Sequence, residues 1–242
     1  DLLAAMTIHE DDSLLVFNKP PGLAVQGGSG LTRHVDGLLD HLVDRKGRRP
    51  RLVHRLDRDT SGVLVVAKTR AAAAALSEAF RHRTTRKIYW ALVKGVPKPA
   101  EGRISTFLAR ESEGEVEKVS VRAEKTEDSQ KAVSLYAVVD QAAQALAWLS
   151  MRPVTGRTHQ LRVHAAHIGH PIVGDPKYFD AKDWQLPGGI QNRLHLHARR
   201  LVLPHPDGGT LDVSAPLPDH MRQSFALLGF DADARAIPEP ED

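Results

Sequence analysis

An α+β fold is predicted for this chain from three observations. Two neighbouring segments, residues 132–139 and 145–154, are strand-like and separated by a turn, which reads as an antiparallel hairpin. Stretches with helical spacing are few, and they do not alternate regularly with strands as a doubly wound sheet requires. The length, 242 residues of which 41% are hydrophobic, suffices for one sizeable core.

From the N-terminus, residues 1–12 are weakly patterned and read as an approach segment. Ser13-Leu14-Leu15-Val16-Phe17-Asn18 reads as a strand. It stops at Lys19-Pro20-Pro21-Gly22, where two prolines and a glycine make a stiff, sharply turned loop. Gln26-Gly27-Gly28-Ser29-Gly30 is glycine-rich but lacks the lysine and spacing of a P-loop, which disfavours nucleotide binding. Beyond Thr32, a candidate N-cap, Val35, Leu38, Leu39, Leu42 and Val43 recur at helical spacing, with Gly47 as the stop. Val63-Leu64-Val65-Val66-Ala67 is a buried strand. Thr69 is placed to cap a helix from Ala71 to about Arg83, whose alanines, Leu76 and Phe80 give a narrow apolar face.

Residues 88–93 alternate as a strand, with Tyr89, Ala91 and Val93 on one face and Ile88, Trp90 and Leu92 on the other. Residues 101–131 mix Glu, Lys, Ser and Gly and read as irregular or edge structure. The hairpin turns at Asp140-Gln141-Ala142-Ala143-Gln144. Thr158 is placed to cap a helix ending at Gly169, with Leu161, Ala165 and Ile168 on one side and His159, Arg162 and Ala166 on another. Residues 194–203 form a strand, and Asp207-Gly208-Gly209 turns into another at 210–214. A last helix starts near Asp219, with Met221, Phe225 and Leu228 inward. The expected organisation is a domain over residues 1–230 and a disordered acidic tail over 231–242, where Pro238 and Pro240 lie.

The chain has no cysteine, which excludes disulfides and thiolate metal sites and fits a cytoplasmic protein. No apolar run approaches membrane-spanning length, and the start has no signal-peptide pattern. A net charge of +3 understates the basicity of the body. The tail holds five acids against one Arg, leaving 32 basic and 25 acidic residues elsewhere. Arg45, Lys46, Arg48, Arg49, Arg51, Arg55 and Arg58 concentrate that charge around one short stretch, which suggests a polyanionic substrate.

That stretch is Arg51-Leu52-Val53-His54-Arg55-Leu56-Asp57-Arg58-Asp59-Thr60-Ser61-Gly62. Cationic neighbours favour the ionised form of a carboxylate, so Asp57 reads as an anion suited to act as nucleophile or charge stabiliser. A surface loop in which Asp57 and Asp59 merely neutralise arginines explains the same residues. Paired carboxylates of a glycosidase are disfavoured, because Asp57 and Asp59 stand too close in one loop to flank a bond. Thirteen histidines, among them His159, His164, His167 and His170, raise a metal-dependent hydrolase. Their spacing is not that of a two-histidine helix motif, and no nearby carboxylate completes a site.

His54-Arg55-Leu56-Asp57 with Arg58-Asp59-Thr60-Ser61-Gly62 resembles the catalytic loop of the RluA family of pseudouridine synthases. Three further stretches match that family in order: Lys19-Pro20-Pro21-Gly22, Lys87-Ile88-Tyr89-Trp90-Ala91, and Gly156-Arg157-Thr158-His159-Gln160-Leu161-Arg162-Val163-His164. The resemblance runs from about Leu14 to Pro216. It implies a long mixed, mainly antiparallel sheet with flanking helices and a central cleft. It also implies isomerisation of uridine to pseudouridine in RNA by a monomer, with neither metal nor organic cofactor. Asp57 would be the nucleophile or charge stabiliser and Arg162 its partner. Tyr89 would pack on the uracil and act as a base, where a lone strand tyrosine is by default a core residue. Arg55 would take the place of the flipped base. Lys19, His54, Arg58 and Arg157, within the matching motifs, are expected to bind substrate. Residues 18–31 and 192–198 look most like the RluC branch, which modifies large-subunit (23S) ribosomal RNA, although Gln26 stands where relatives often have His. The alternatives are an RluD-like enzyme acting on ribosomal or transfer RNA and a non-catalytic RNA-binding module. Many relatives carry an S4-type RNA-binding domain ahead of this core. Nothing here matches it, and with Asp rather than Met at position 1 the sequence leaves room for an upstream part.

Overall fold

The computed structural model describes residues 1–28, 33–82, 84–113, 116–180, 182 and 184–242. In chain order the elements are α1 (Leu2–Met6), β1 (Thr7–Glu10), β2 (Leu14–Lys19), α2 (Val35–Leu38, continued by a 3₁₀ turn Leu39–Leu42), β3 (Arg51–Leu52), β4 (Ser61–Ala67), α3 (Arg70–Arg81) and β5 (Arg86–Lys94). There follow β6 (Glu101–Glu113), β7 (Val116–Arg122), β8 (Ser129–Ala142), β9 (Leu146–Pro153), α4 (Gln160–His167), β10 (Leu196–Pro204), β11 (Thr210–Ser214) and α5 (Asp219–Leu228). The predicted α+β class is the one observed. Among the described residues, no helix is long and apolar enough to cross a membrane. The chain divides into two compact units, Asp1–Lys87 with His197–Pro218, and Ile88–Leu196 with Asp219–Asp242.

In the first unit the strand order is β1-β2-β4-β10-β11. β4 pairs antiparallel with β2 along its length. Its other edge is shared by β10, parallel at Ser61 and Gly62, and β3, antiparallel at Val66 and Ala67. Because β4 is flanked on both edges and covered, all seven of its residues are buried, which is why it reads as an unbroken apolar run. α3 lays Ala72, Leu76 and Ala79 on Leu14, Val16, Val63 and Val65. Thr69 caps it as predicted, its Oγ1 accepting the Ala72 amide at 3.0 Å.

Gly62 is fixed by this packing. Its φ is +116°, and a Cβ there would lie 2.2 Å from the Ala198 carbonyl oxygen. Gly62→Ala is expected to cost about 3 kcal/mol, combining overpacking with a disfavoured φ. Thermal melting checks this, and an unchanged transition would refute it.

Asp11 pins the start of β2 to the turn between β10 and β11. Its Oδ1 accepts the amides of Ser13 (2.9 Å) and Leu14 (3.1 Å), and its Oδ2 meets Nε2 of His9 (2.9 Å) and of His205 (2.8 Å). Burial alone would raise the carboxyl pKa, but these hydrogen bonds outweigh it and hold the group well below the usual range. Asp11, His205 and Asp207 bring ligand-type atoms within 4.8 Å of one another. His205 Nδ1, however, accepts the Asp207 amide (3.0 Å) and its Nε2 faces Asp11 Oδ2 (2.8 Å), so both ring nitrogens are engaged within the protein.

In the second unit the order is β5-β9-β8-β6-β7, antiparallel throughout. One face carries Ala91, Val93, Leu149 and Met151 against Leu161 and Ala165 of α4. The other carries Trp90 and Trp148 against Phe225 of α5, with Phe230 behind. The two faces of β5 are therefore used as the alternation predicts.

Several elements differ from their expectation. Residues 1–12 hold α1 and β1, anchored by the buried Leu3 and Met6. The stretch read as irregular or edge structure contains the whole of β6 and β7, and β7 is the outer strand of its unit, burying only Val119. The strands of the 132–154 hairpin run longer than expected, pairing as far as Ala142 and Leu146, and the chain reverses through residues 143–145 with φ positive at Ala143 (+54°) and Gln144 (+75°). The helix after β2 is short, capped by His34, and leaves Val43 exposed; the Thr32 cap, Ser29-Gly30 and the Arg83 helix end lie outside the described residues. The tail has no helix or strand, and Arg222 pairs with Asp233 at 3.0 Å.

Candidate active site

Asp57 lies half-buried in the loop between β3 and β4, in the first unit. Thr60 closes the loop by giving its amide to the Asp57 carbonyl (3.1 Å). Lys19, expected to bind substrate, is fully buried. Its Nζ donates to the carbonyls of Pro20 (3.0 Å), Leu23 (2.8 Å) and Arg58 (2.8 Å). The Arg58 carbonyl also accepts the Gly22 amide (2.9 Å), so the Pro-Pro-Gly turn and the Asp57 loop are joined at one oxygen. Burial pulls the Lys19 pKa down to about 7 against the opposing pull of Asp59 and Asp57. Three carbonyl acceptors nevertheless require three N–H groups, so this geometry fits the ammonium form. Lys19 is therefore a fastener of the loop, a correction to its expected role. Lys19→Met would leave buried carbonyls unsatisfied and is expected to cost about 3 kcal/mol or more. Chemical denaturation measures this, and wild-type stability would refute it.

His54 is a second correction. Its Nε2 accepts the Val65 amide (2.9 Å), and its ring stacks on Phe80 at 4.3 Å. Burial, with a smaller effect of Lys87, drives its pKa down to about 3, so it is neutral and ties the loop to β4. Arg55 and Arg58 are exposed beside Asp57, where substrate contact is open to them. Arg58 Nε reaches Asp59 at 3.4 Å. Of the basic cluster, Arg48 pairs with Asp44 (2.6 Å) and Arg49 with Asp40 (2.5 Å), so part of the expected positive charge is compensated locally.

Tyr89 and Arg162 lie in the second unit. Tyr89 sits half-buried on β5, opposite Met151, on the face that α4 covers. Arg162 projects from α4 and is buried, giving Nε to Asp175 Oδ2 (3.0 Å) and Nη2 to Asp175 Oδ1 (2.8 Å). Arg157 is exposed, donates Nε to the Lys131 carbonyl (3.1 Å) and lines a cleft of about 610 Å³ with Arg110, Gly156 and Thr158.

Thr158 does not cap α4. The N-cap is His159, in the left-handed region at φ +54°, while the Thr158 hydroxyl accepts from Arg110 (2.8 Å). The turn is organised instead by buried Gln160. Its Oε1 accepts from Thr155 (2.6 Å) and the Arg157 amide (3.1 Å), and its Nε2 donates to the Val133 carbonyl (2.8 Å). Of the histidines weighed as metal ligands, His159, His164 and His170 make hydrogen bonds, and His167 is exposed. His164 spends both ring nitrogens on Ser134 (2.7 Å) and Thr106 (2.8 Å), and His170 meets the Lys94 carbonyl at 2.8 Å. Sequence reading missed Asp175 and Tyr178; Gly174-Asp175 after Ile172-Val173 was the available signal, a lone carboxylate entering a turn.

A chain with this α+β arrangement superposes on solved pseudouridylate synthase domains. Human RNA Pseudouridylate Synthase Domain Containing 4 matches with a TM-score of 0.76 and 31% identity, covering 94% of both chains. Human RNA Pseudouridylate Synthase Domain Containing 1 matches with a TM-score of 0.71 and 28% identity, covering 88% of this chain and 83% of that one. The family model for RNA pseudouridylate synthase matches residues 13–167, and the chain belongs to that family. Among relatives, ribosomal large subunit pseudouridine synthase C of Yersinia pestis is 41% identical over 96% of this chain and 72% of its own length. RNA pseudouridine synthase 4, mitochondrial, of Arabidopsis thaliana is 35% identical over 93% of this chain, which spans 60% of that relative's length.

Proposed function

We propose that this chain isomerises uridine to pseudouridine within RNA, and that large-subunit (23S) ribosomal RNA is its substrate. The observation that carries the reading is the family match over residues 13–167, which takes in the Asp57 loop, the Tyr89 strand and the Arg162 helix. The ribosomal substrate is supported by the name and 41% identity of the Yersinia pestis relative. In the reaction the N1–C1′ bond breaks, the uracil turns, and C5 bonds to C1′. C5 gives up its proton and N1 gains one, so neither oxidant nor co-reactant is consumed. Asp57 serves as nucleophile or charge stabiliser. Arg162 supplies the reaction with a fixed guanidinium cation, and Tyr89 packs on the uracil and assists removal of the C5 proton. Arg55, exposed two residues before Asp57, is suited to fill the space of the flipped base. Arg58 and Arg157 hold phosphates. The chain acts as a monomer in the cytoplasm. Mapping pseudouridines in ribosomal RNA from cells with and without the protein tests the reading. One or more large-subunit positions are expected to revert to uridine, and an unchanged map would overturn the assignment.

A further inference from the structure

We infer that Asp175 and Tyr178 are positioning residues that fix the guanidinium plane of Arg162, an inference that rests on the function proposed above. The side chains of Arg162 and Asp175 are 7% and 0% exposed, and they meet through a two-bonded fork, the geometry that removes both sliding and rotation within the plane. Tilt out of the plane is opposed by the Tyr178 ring, whose centroid lies 5.2 Å from Arg162 Cζ.

Both supports are themselves held. Asp175 Oδ1 also accepts the amides of Lys177 (2.9 Å) and Tyr178 (3.3 Å). The turn that carries it contains Gly174, at φ +77°, where a Cβ would fall 1.9 Å from the Arg193 carbonyl oxygen. The Tyr178 hydroxyl accepts the Val119 amide (3.0 Å) and meets His159 Nδ1 at 2.6 Å. His159 is the left-handed cap of the helix that bears Arg162, so the network closes on itself.

A buried ion pair adds little net stability over an apolar pair of the same shape, because desolvation cancels much of the attraction. A role in orientation accounts for its presence: displacing a reacting group by roughly 1 Å costs on the order of 100-fold in rate.

The test is single-turnover tritium release from large-subunit ribosomal RNA transcribed with 5-tritiated uridine. Asp175→Asn is expected to slow release on the order of 100-fold while RNA affinity by filter binding stays within about twofold. Asp175→Glu, which restores the charge, is expected to recover part of the rate. In an Arg162→Lys background, Asp175→Asn is expected to slow release by no more than about a further twofold, because its effect passes through Arg162. Full multiplication of the two losses would overturn the inference. Tyr178→Leu is expected to slow release more than Tyr178→Phe, which keeps the ring, and this comparison carries the test if Asp175→Asn does not fold. Equal rates in the two Tyr178 variants would overturn the inference. A wild-type chain that releases no tritium overturns the proposed function itself. An active wild type with a full-rate Asp175→Asn overturns only the positioning role.

Discussion

Asp57→Asn is expected to abolish pseudouridine formation while leaving RNA binding in place. The substitution keeps the size of the side chain but removes both the charge and the nucleophilic oxygen pair, which the reaction cannot replace. Binding is expected to survive because affinity for RNA comes largely from phosphate contacts, and Arg45, Lys46, Arg51, Arg55 and Arg58 remain exposed. Asp59→Asn is the matched control. Asp59 pairs with Arg58 at 3.4 Å and its side chain is 41% exposed, an arrangement worth little. Substantial turnover is therefore expected of it. Both variants are to be compared after melting curves establish that they fold. Wild-type turnover by Asp57→Asn, or an indispensable Asp59, would remove Asp57 from the chemistry.

The second large effect is expected at Arg162. Arg162→Lys keeps the positive charge but replaces a planar fork with a single flexible ammonium. It cannot reproduce the paired bonds of 3.0 and 2.8 Å to Asp175, so the charge is retained and its direction is lost. A drop in turnover on the order of 100-fold is expected, with RNA affinity nearly unchanged. Kinetics on a ribosomal RNA fragment check this, and near-normal turnover would place Arg162 outside the reaction.

Elements whose burial imposes a period were legible in the sequence. β4 announced itself as an apolar run, α3 by Thr69 and its alanine face, and α5 by Met221 and Phe225. β6 and β7 were legible only as irregular or edge structure, because the outer strand β7 buries only Val119 fully and shows no alternation to read. The hairpin turn was placed within residues 140–144 but not narrowed to Ala143-Gln144, because that pair adopts a geometry that usually selects Asn-Gly. The helix start was missed by one residue, since His159 in a left-handed cap has no side-chain signature. Of the candidate site residues, Asp57, Tyr89 and Arg162 stood out through motif resemblance. The work of Lys19 and His54 did not, because a side chain bonded to main-chain groups looks the same in sequence as one that faces a ligand. Asp175 was hidden for a related reason: its pairing with Arg162, thirteen residues away, depends on the fold of the intervening turn.

The joining of the Pro-Pro-Gly turn to the Asp57 loop through the Arg58 carbonyl has an evolutionary corollary. That oxygen belongs to the main chain, and every residue type presents one. The side chains at 55 and 58 point outward, so they are free to drift without loosening the loop that carries Asp57. Selection can thus exchange the exposed residues on either side of the carboxylate while the carboxylate stays where it is. A lineage that changed the outward position 58 would alter its surface toward RNA without first rebuilding the loop that carries Asp57.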